Sequence, residues 1–272
     1  MTSADLRPVL DESDALRLLL GGEFELEGRL VDASNTTLRG FLTLDGVTVR
    51  CVYKPVRGER PLWDFPDGTL AGREVGAYLV SRATGWDLIP PTVLRDGPLG
   101  PGACQLWIDE PEETEPLVGF VPAGSLPARW FRIAAARDDD GTPYALAHAD
   151  DPRLARLAVL DVVINNADRK GGHVLVGPDD RIYGVDHGVC FHVDDKLRTV
   201  LWGWSRRILP PDALEMLEEL AEGLAGPLGE ALADHLTLSE ITAVRGRVAR
   251  LLATTSFPEP SEEWPAIPWP PI

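Results

Sequence analysis

Two aspartates eighteen residues apart, Asp168 and Asp186, set the strongest constraint on this chain. They bracket the run N-N-A-D-R-K-G-G-H-V-L-V-G-P-D-D-R-I-Y-G-V-D-H-G at 165–188. Val174, Leu175 and Val176 read as a short buried strand, 177–180 as its turn, and Ile182, Tyr183 and Val185 as the returning strand. The hairpin leaves Asp168 on the loop entering it and Asp186 at the end of the strand leaving it. Phosphoryl transfer needs such a pair: a loop carboxylate that orients the attacking hydroxyl and takes its proton, and a strand-end carboxylate that holds a divalent ion against the nucleotide phosphates. Gly188 is expected to let the chain turn after the second aspartate. Two solvated acidic loops around a hairpin would read the same way, so support must come from elsewhere in the chain.

The preceding segment supplies some of it. Asp151 is a good N-cap, Pro152 suits the first helical position, and the residues up to Ile164 are apolar on nearly every side. Such a helix is buried, and it delivers Asn165 and Asn166 to the loop that carries Asp168. Asp161, inside the helix, is expected to be a paired structural carboxylate, and Arg169 a structural partner for a carboxylate. Lys170 stands where a positive charge would neutralise a phosphoryl group in transit.

The N-terminal part adds a lysine and a glutamate in matching order. A strand at 47–53 ends at Lys54, and a helix at 70–82 contains Glu74. Kinase-type sites need a strand lysine on the phosphates and a helix glutamate that positions it. Either residue alone would pass as ordinary surface; four residue types in the right order coincide far less easily. Between strands at 26–31 and 38–44, the turn 33–37 offers Ser34, Asn35 and backbone N–H groups to phosphate oxygens, although a plain polar hairpin turn fits it too. The strand 103–108 supplies Gln105, Trp107 and Ile108 toward an adenine ring, before the acidic connector 109–113; core packing is the other role open to Trp107.

On V-Y-K-P (52–55), R-E-V-G-A-Y (73–78), N-N-A-D-R-K-G-G-H (165–173) and V-D-H-G (185–188), the chain resembles the phosphatidylinositol 3-/4-kinase-like superfamily, particularly its small actinobacterial members of unassigned substrate. HipA-type Ser/Thr kinases are more distant relatives. The resemblance spans roughly 28–220. It implies an α+β, bilobal protein-kinase-like fold: a small β-rich N-lobe with one key helix, a larger mainly helical C-lobe, and ATP between them. It also implies an ATP:hydroxyl phosphotransferase in which Lys54 contacts the phosphates, Glu74 pairs with Lys54, Asp168 is catalytic and Asp186 binds Mg²⁺. The expected division is 1–108, 109–256 and a Pro/Trp-rich tail at 257–272. The chain departs from the superfamily at two points. His173 occupies the position of a second metal-binding Asn, and imidazole suits Mn²⁺ or Zn²⁺ better than Mg²⁺. The phosphate-covering loop also lacks a Gly-x-Gly-x-x-Gly run.

Composition sets outer limits. The 272 residues, 44% hydrophobic, can bury a sizeable core. A net charge of −17 opposes nucleic-acid binding and offers nothing to anionic lipid. Cys51, Cys104 and Cys190 lack metal spacing and read as reduced core residues, and neither a signal pattern nor a long apolar run occurs, so a cytoplasmic protein without a membrane span is expected. Further helices are expected at 13–20, 128–136, 211–224, 227–236 and 239–252. The tail is expected to pack through Trp264 and Trp269 or to bind a partner in extended form. The acceptor reads as a soluble protein or small-molecule hydroxyl; an anionic one would suit Lys196, Arg198, Arg206 and Arg207, and a structural role fits these residues equally. A non-catalytic ATP-binding module and an AMP transferase on the same fold are the competing functions. Oligomeric state is left open.

Overall fold

The computed structural model describes residues 10–30, 35–66 and 69–272. In chain order the elements are α1 (Glu12–Gly21), β1 (Glu23–Arg29), β2 (Leu38–Leu44), β3 (Val47–Pro55), α2 (Leu70–Ala83), β4 (Thr92–Gly97), β5 (Gly100–Leu106), β6 (Val118–Pro122), β7 (Trp130–Arg137), β8 (Pro143–Ala149), α3 (Pro152–Ile164), β9 (Val174–Val176), β10 (Ile182–Gly184), α4 (Pro211–Ala225), α5 (Pro227–Leu232) and α6 (Leu238–Thr254). They form two compact units, Met1–Arg60 with Pro91–Trp107, and Pro61–Pro90 with Ile108–Ile272. In this division the segment bearing α2 groups with the C-terminal elements.

The first unit is an antiparallel sheet in the order β1-β2-β3-β5-β4. Asp45 and Gly46 join β2 to β3 with φ of 51° and 79°, the mirror-image turn whose twist matches a two-residue hairpin. Along β3, Val49, Cys51, Tyr53 and Pro55 are buried in alternation, so Lys54 projects from the opposite face. Leu18 and Leu19 of α1 complete a core with Leu42, Val49, Cys51, Val93 and Cys104. Gly102 faces Pro55 across the ladder, where a Cβ would meet the Lys54 carbonyl oxygen at 2.6 Å, so only glycine allows β5 to lie this close.

In the second unit α3 is the central helix, with Leu154, Leu157, Val159, Leu160, Val163 and Ile164 fully buried. Asp151 caps it by accepting from the Arg153 N–H at 2.8 Å, and Asn165 ends it with φ 53°. Helix α2 is buried over most of its surface. Its small residues explain how: a Cβ at Gly72 would stand 2.8 Å from the His235 carbonyl oxygen, and one at Gly76 would touch Leu232, Leu236 and Phe191. Thr237 and Glu240 close a capping box at the start of α6.

The stretch expected to be helical at 128–136 is instead β7, paired antiparallel with β8 from Trp130↔Ala149 to Arg137↔Pro143; β6 pairs on the other side of β8. Three consecutive alanines favour a helix locally, but the buried partner strand decides the conformation. The tail is held by backbone: Thr199 N–H and Trp202 Nε1 both donate to the Ala266 carbonyl, and Gly171 N–H donates to the Pro271 carbonyl. Of the two tail tryptophans Trp264 is packed, while Trp269 is 84% exposed and does not serve as an anchor. Among the described residues no helix is long and apolar enough to cross a membrane, and Cys51, Cys104 and Cys190 are free and buried.

Candidate active site

The site is built on a buried ion pair. Arg169 and Asp161, both inaccessible to solvent, meet at 3.0 Å. The guanidinium also donates to the carbonyls of His173 and Val185, each at 3.0 Å, and lies 2.7 Å from His187 Nε2. One arginine thus joins the loop before the hairpin to both sides of the strand end after it. Asn166 continues the network: its Nδ2 donates to Asp161 at 3.0 Å, and its Oδ1 accepts from the Asp168 N–H at 3.0 Å. The side chain of Asn165 donates to the carbonyls of His192 and Asp194 and accepts from the Lys196 N–H, fixing the loop to segment 192–196.

On this frame the carboxylate of Asp168 is about a quarter exposed. Lys170 Nζ lies 3.2 Å from one of its oxygens and Arg198 Nη2 3.6 Å from the other. Burial pushes the Asp168 carboxyl above its ordinary range and the charge of Asp186 adds to this, against the opposing pull of Lys170 and Arg198. A carboxylate that holds a proton more readily than usual suits a group that must accept one.

Hairpin β9–β10 forms as expected, with the register Ile182↔Val176 to Gly184↔Val174. The Val185 N–H donates to the His173 carbonyl at 3.0 Å, which sets Asp186 beside the His173 ring. His173 Nε2 lies 3.4 Å from Asp186 Oδ2, and the Asp186 carboxylate is half exposed. Asp186 itself takes φ 61°, and the chain turns at Gly188 and Val189, as expected. A Cβ at Gly188 would lie 3.4 Å from Leu70 and 3.6 Å from Glu74, ordinary contact distances.

Among the described residues no group of three or more His, Cys, Asp or Glu is arranged to hold a metal. Asp186 and His173 offer one carboxylate and one imidazole as candidate ligands for a divalent ion.

The chain is 49% identical over 265 residues to the Mycobacterium tuberculosis protein Rv2133c, covering 94% of this chain and 95% of that protein. It belongs to the Rv2133c family. No family model matches it. Among solved structures, the Golgi casein kinase with Mn and ADP bound aligns with TM-score 0.56 and 16% identity over 90% of this chain and 75% of that one. A hydra Fam20 structure with sugar gives 0.53 and 14% over 89% and 87%. These likenesses establish the kinase-like fold: a β-sheet N-terminal region followed by a helical C-terminal region.

The other sequence candidates divide by unit. Lys54 stands near the end of β3. Asn35 Oδ1 accepts from the Arg60 N–H at 2.9 Å, which ties this side chain to the segment after β3; Ser34 lies outside the described residues. Gln105 is buried and donates to Thr92 Oγ1 at 2.8 Å, and Arg39 lies over the Trp107 ring at 5.5 Å. Ile108 is half-buried and follows the end of β5. In the second unit, Glu74 Oε2 accepts from the His187 N–H at 3.0 Å. Its neighbour Arg73 pairs with Glu240 and donates to the Cys190 carbonyl at 3.1 Å. Arg73 and Glu240 were not expected as a pair, since residues so far apart in sequence carry no spacing signal.

Proposed function

We propose that this protein is an ATP-dependent phosphotransferase of the phosphatidylinositol 3-/4-kinase-like type, moving the γ-phosphoryl group to the hydroxyl of a soluble acceptor. The observation that carries the reading is the joint anchoring of Asp168 and Asp186 to the buried Asp161–Arg169 pair, with Lys170 beside the first and His173 beside the second. Asp168 takes the proton of the acceptor hydroxyl as its oxygen bonds to the γ-phosphorus. The bond from that phosphorus to the β-bridging oxygen breaks, and ADP leaves with the electron pair. Lys170 offsets charge on the phosphoryl oxygens in transit. Asp186 and His173 would hold a divalent ion, Mg²⁺ or Mn²⁺, which when bound neutralises the nucleotide's phosphates. Lys54 is assigned to those phosphates by motif order.

ATP with Mg²⁺ or Mn²⁺ should raise the melting temperature by mass action, and Asp186→Asn should remove the metal-dependent part. Asp168→Ala should bind ATP nearly as well as wild type and transfer nothing. Mass spectrometry of the modified product separates the gain of a phosphoryl group from the gain of AMP. No thermal shift with any divalent ion would refute the assignment. Wild type that binds ATP yet matches Asp168→Ala in every transfer assay would make the protein a non-catalytic binding module.

A further inference from the structure

Two buried N–H donors, one of them on the arginine next to Asp168, lack acceptors. Arg198 Nε and Trp264 Nε1 are both buried without a hydrogen-bond partner. They belong to one cluster, since the Arg198 guanidinium carbon lies 5.9 Å from the Trp264 ring centroid. A buried donor without an acceptor carries a desolvation cost that native structures rarely leave standing.

Both residues are firmly placed. The Arg198 N–H donates to the Asn166 carbonyl at 2.9 Å, and its own carbonyl accepts from the Arg169 N–H at 3.0 Å, so its backbone is paired with the catalytic loop. Trp264 is positioned by the tail, whose Ala266 carbonyl receives Thr199 and Trp202. The neighbouring cation is already matched: Lys196 Nζ meets Asp64 at 3.0 Å and packs over the Trp264 ring at 4.6 Å. Lys170 likewise meets Asp168 at 3.2 Å. Arg198 is the cation with donors to spare, because its contact with Asp168, at 3.6 Å, is longer than a hydrogen bond.

Indole and guanidinium N–H groups only donate, so the ligand that completes them must present acceptor oxygens, and a planar guanidinium matches phosphate or carboxylate. We propose that Arg198 and Trp264 form an oxyanion subsite on the acceptor side of Asp168, and that the acceptor is a small molecule bearing phosphate or carboxylate next to its reacting hydroxyl. The closeness of Arg198 to Asp168 requires hydroxyl and oxyanion to be near neighbours. The net charge of −17 repels an extended polyanion at long range and penalises a single small anion much less. This assignment rests on the phosphotransferase reading, and the experiment keeps the two apart.

The indole N–H resonance of Trp264, identified as the signal missing from Trp264→Phe, reports on the subsite without any turnover. Full-length protein with ADP and Mg²⁺ is titrated with glycerate, glycerol phosphate and, as the uncharged control, glycerol. A saturable shift with glycerate or glycerol phosphate and none with glycerol is expected, and the tighter of the two names the anion. Arg198→Met should weaken that binding by about tenfold or more, the scale of a charged hydrogen bond, and Arg198→Lys by less, because it keeps charge and loses the fork. An ADP-dependent rise in melting temperature in each variant shows that the fold and the nucleotide site persist. If ADP binds and neither anion moves the resonance, or glycerol moves it equally, the subsite is refuted and the phosphotransferase reading stands. Anion binding without nucleotide binding would remove the acceptor role along with that reading. An acidic peptide that shifts the resonance where both small anions fail would overturn the small-molecule assignment.

Discussion

Glu74 Oε2 accepts the backbone N–H of His187 at 3.0 Å, tying helix α2 to the residue that follows Asp186. The sequence expects Glu74 to pair with Lys54; the hydrogen bond to His187 gives it the task of fixing the turn from which Asp186 projects. Both Glu74 and His187 are buried. Glu74→Ala should therefore strand the His187 N–H and cost about 1–3 kcal/mol in urea unfolding. It should also reduce the metal-dependent part of the nucleotide thermal shift. Glu74→Gln keeps an acceptor oxygen and should lose less of both. Equal losses in the two variants would show that charge, rather than this hydrogen bond, is what Glu74 contributes.

The Asp161–Arg169 pair has no access to water, so removing one partner leaves the other buried and uncompensated. Asp161→Ala should destabilise the protein by about 3–5 kcal/mol. Because Arg169 also holds the carbonyls of His173 and Val185, nucleotide-dependent stabilisation should fall with it. A loss below about 1 kcal/mol in chemical denaturation would mean that Arg169 is satisfied by its carbonyl partners, contrary to the cost of an unpaired buried charge.

What was legible in the sequence had a local cause. Helix α3 declares itself through Asp151, Pro152 and an unbroken apolar run, and hairpin β9–β10 through its turn residues. Asp161 and Arg169 each read as structural from the sequence, and the fold pairs them with each other. The rest depends on partners distant in sequence. Residues 128–136 look helical because of their alanines, and only pairing with β8 makes them β7. The packing of α2 against His235 is written in Gly72, which alone reads as a helix weakener. Trp264 and Arg198 come together only because the tail folds back along the loop, an arrangement without periodicity to betray it.

His148 should make stability depend on pH. It is fully buried on β8, with Nδ1 donating to the Ala149 carbonyl at 2.8 Å and Nε2 accepting from the Gly203 N–H at 3.0 Å, between Phe131 and Trp204. Burial pulls its pKa down to about 4 from 6.5, against the Ala149 carbonyl and the nearby Asp150, which favour the charged ring. The unfolded chain therefore binds a proton that the folded one refuses, so this contribution is present above pH 6.5 and is lost as pH falls toward 4. It amounts to about 3 kcal/mol across that window. In unfolding measurements the stability gap between wild type and His148→Gln should narrow steadily from pH 7 to pH 4. A gap that does not change with pH would show that His148 does not carry this linkage.

His173 is the residue whose chemistry most affects metal choice. Its Nε2 lies 3.4 Å from Asp186 Oδ2, a distance that serves either of two arrangements: both side chains on one ion, or the imidazole orienting the carboxylate that binds it. The two differ in what an asparagine does there. If the ring nitrogen is a ligand, His173→Asn exchanges nitrogen for oxygen, and preference should move from Mn²⁺ toward Mg²⁺ while nucleotide binding persists. If the ring only orients Asp186, both metals should weaken together and their order should stay the same. Calorimetric titration of ADP with each metal into wild type and His173→Asn measures the ratio directly. The His173 backbone carbonyl receives Arg169 and Val185 whichever side chain is present, so the loop should keep its shape in the variant. A change in the Mn²⁺ to Mg²⁺ ratio is therefore attributable to the side chain, and an unchanged ratio would rule out the imidazole as a ligand.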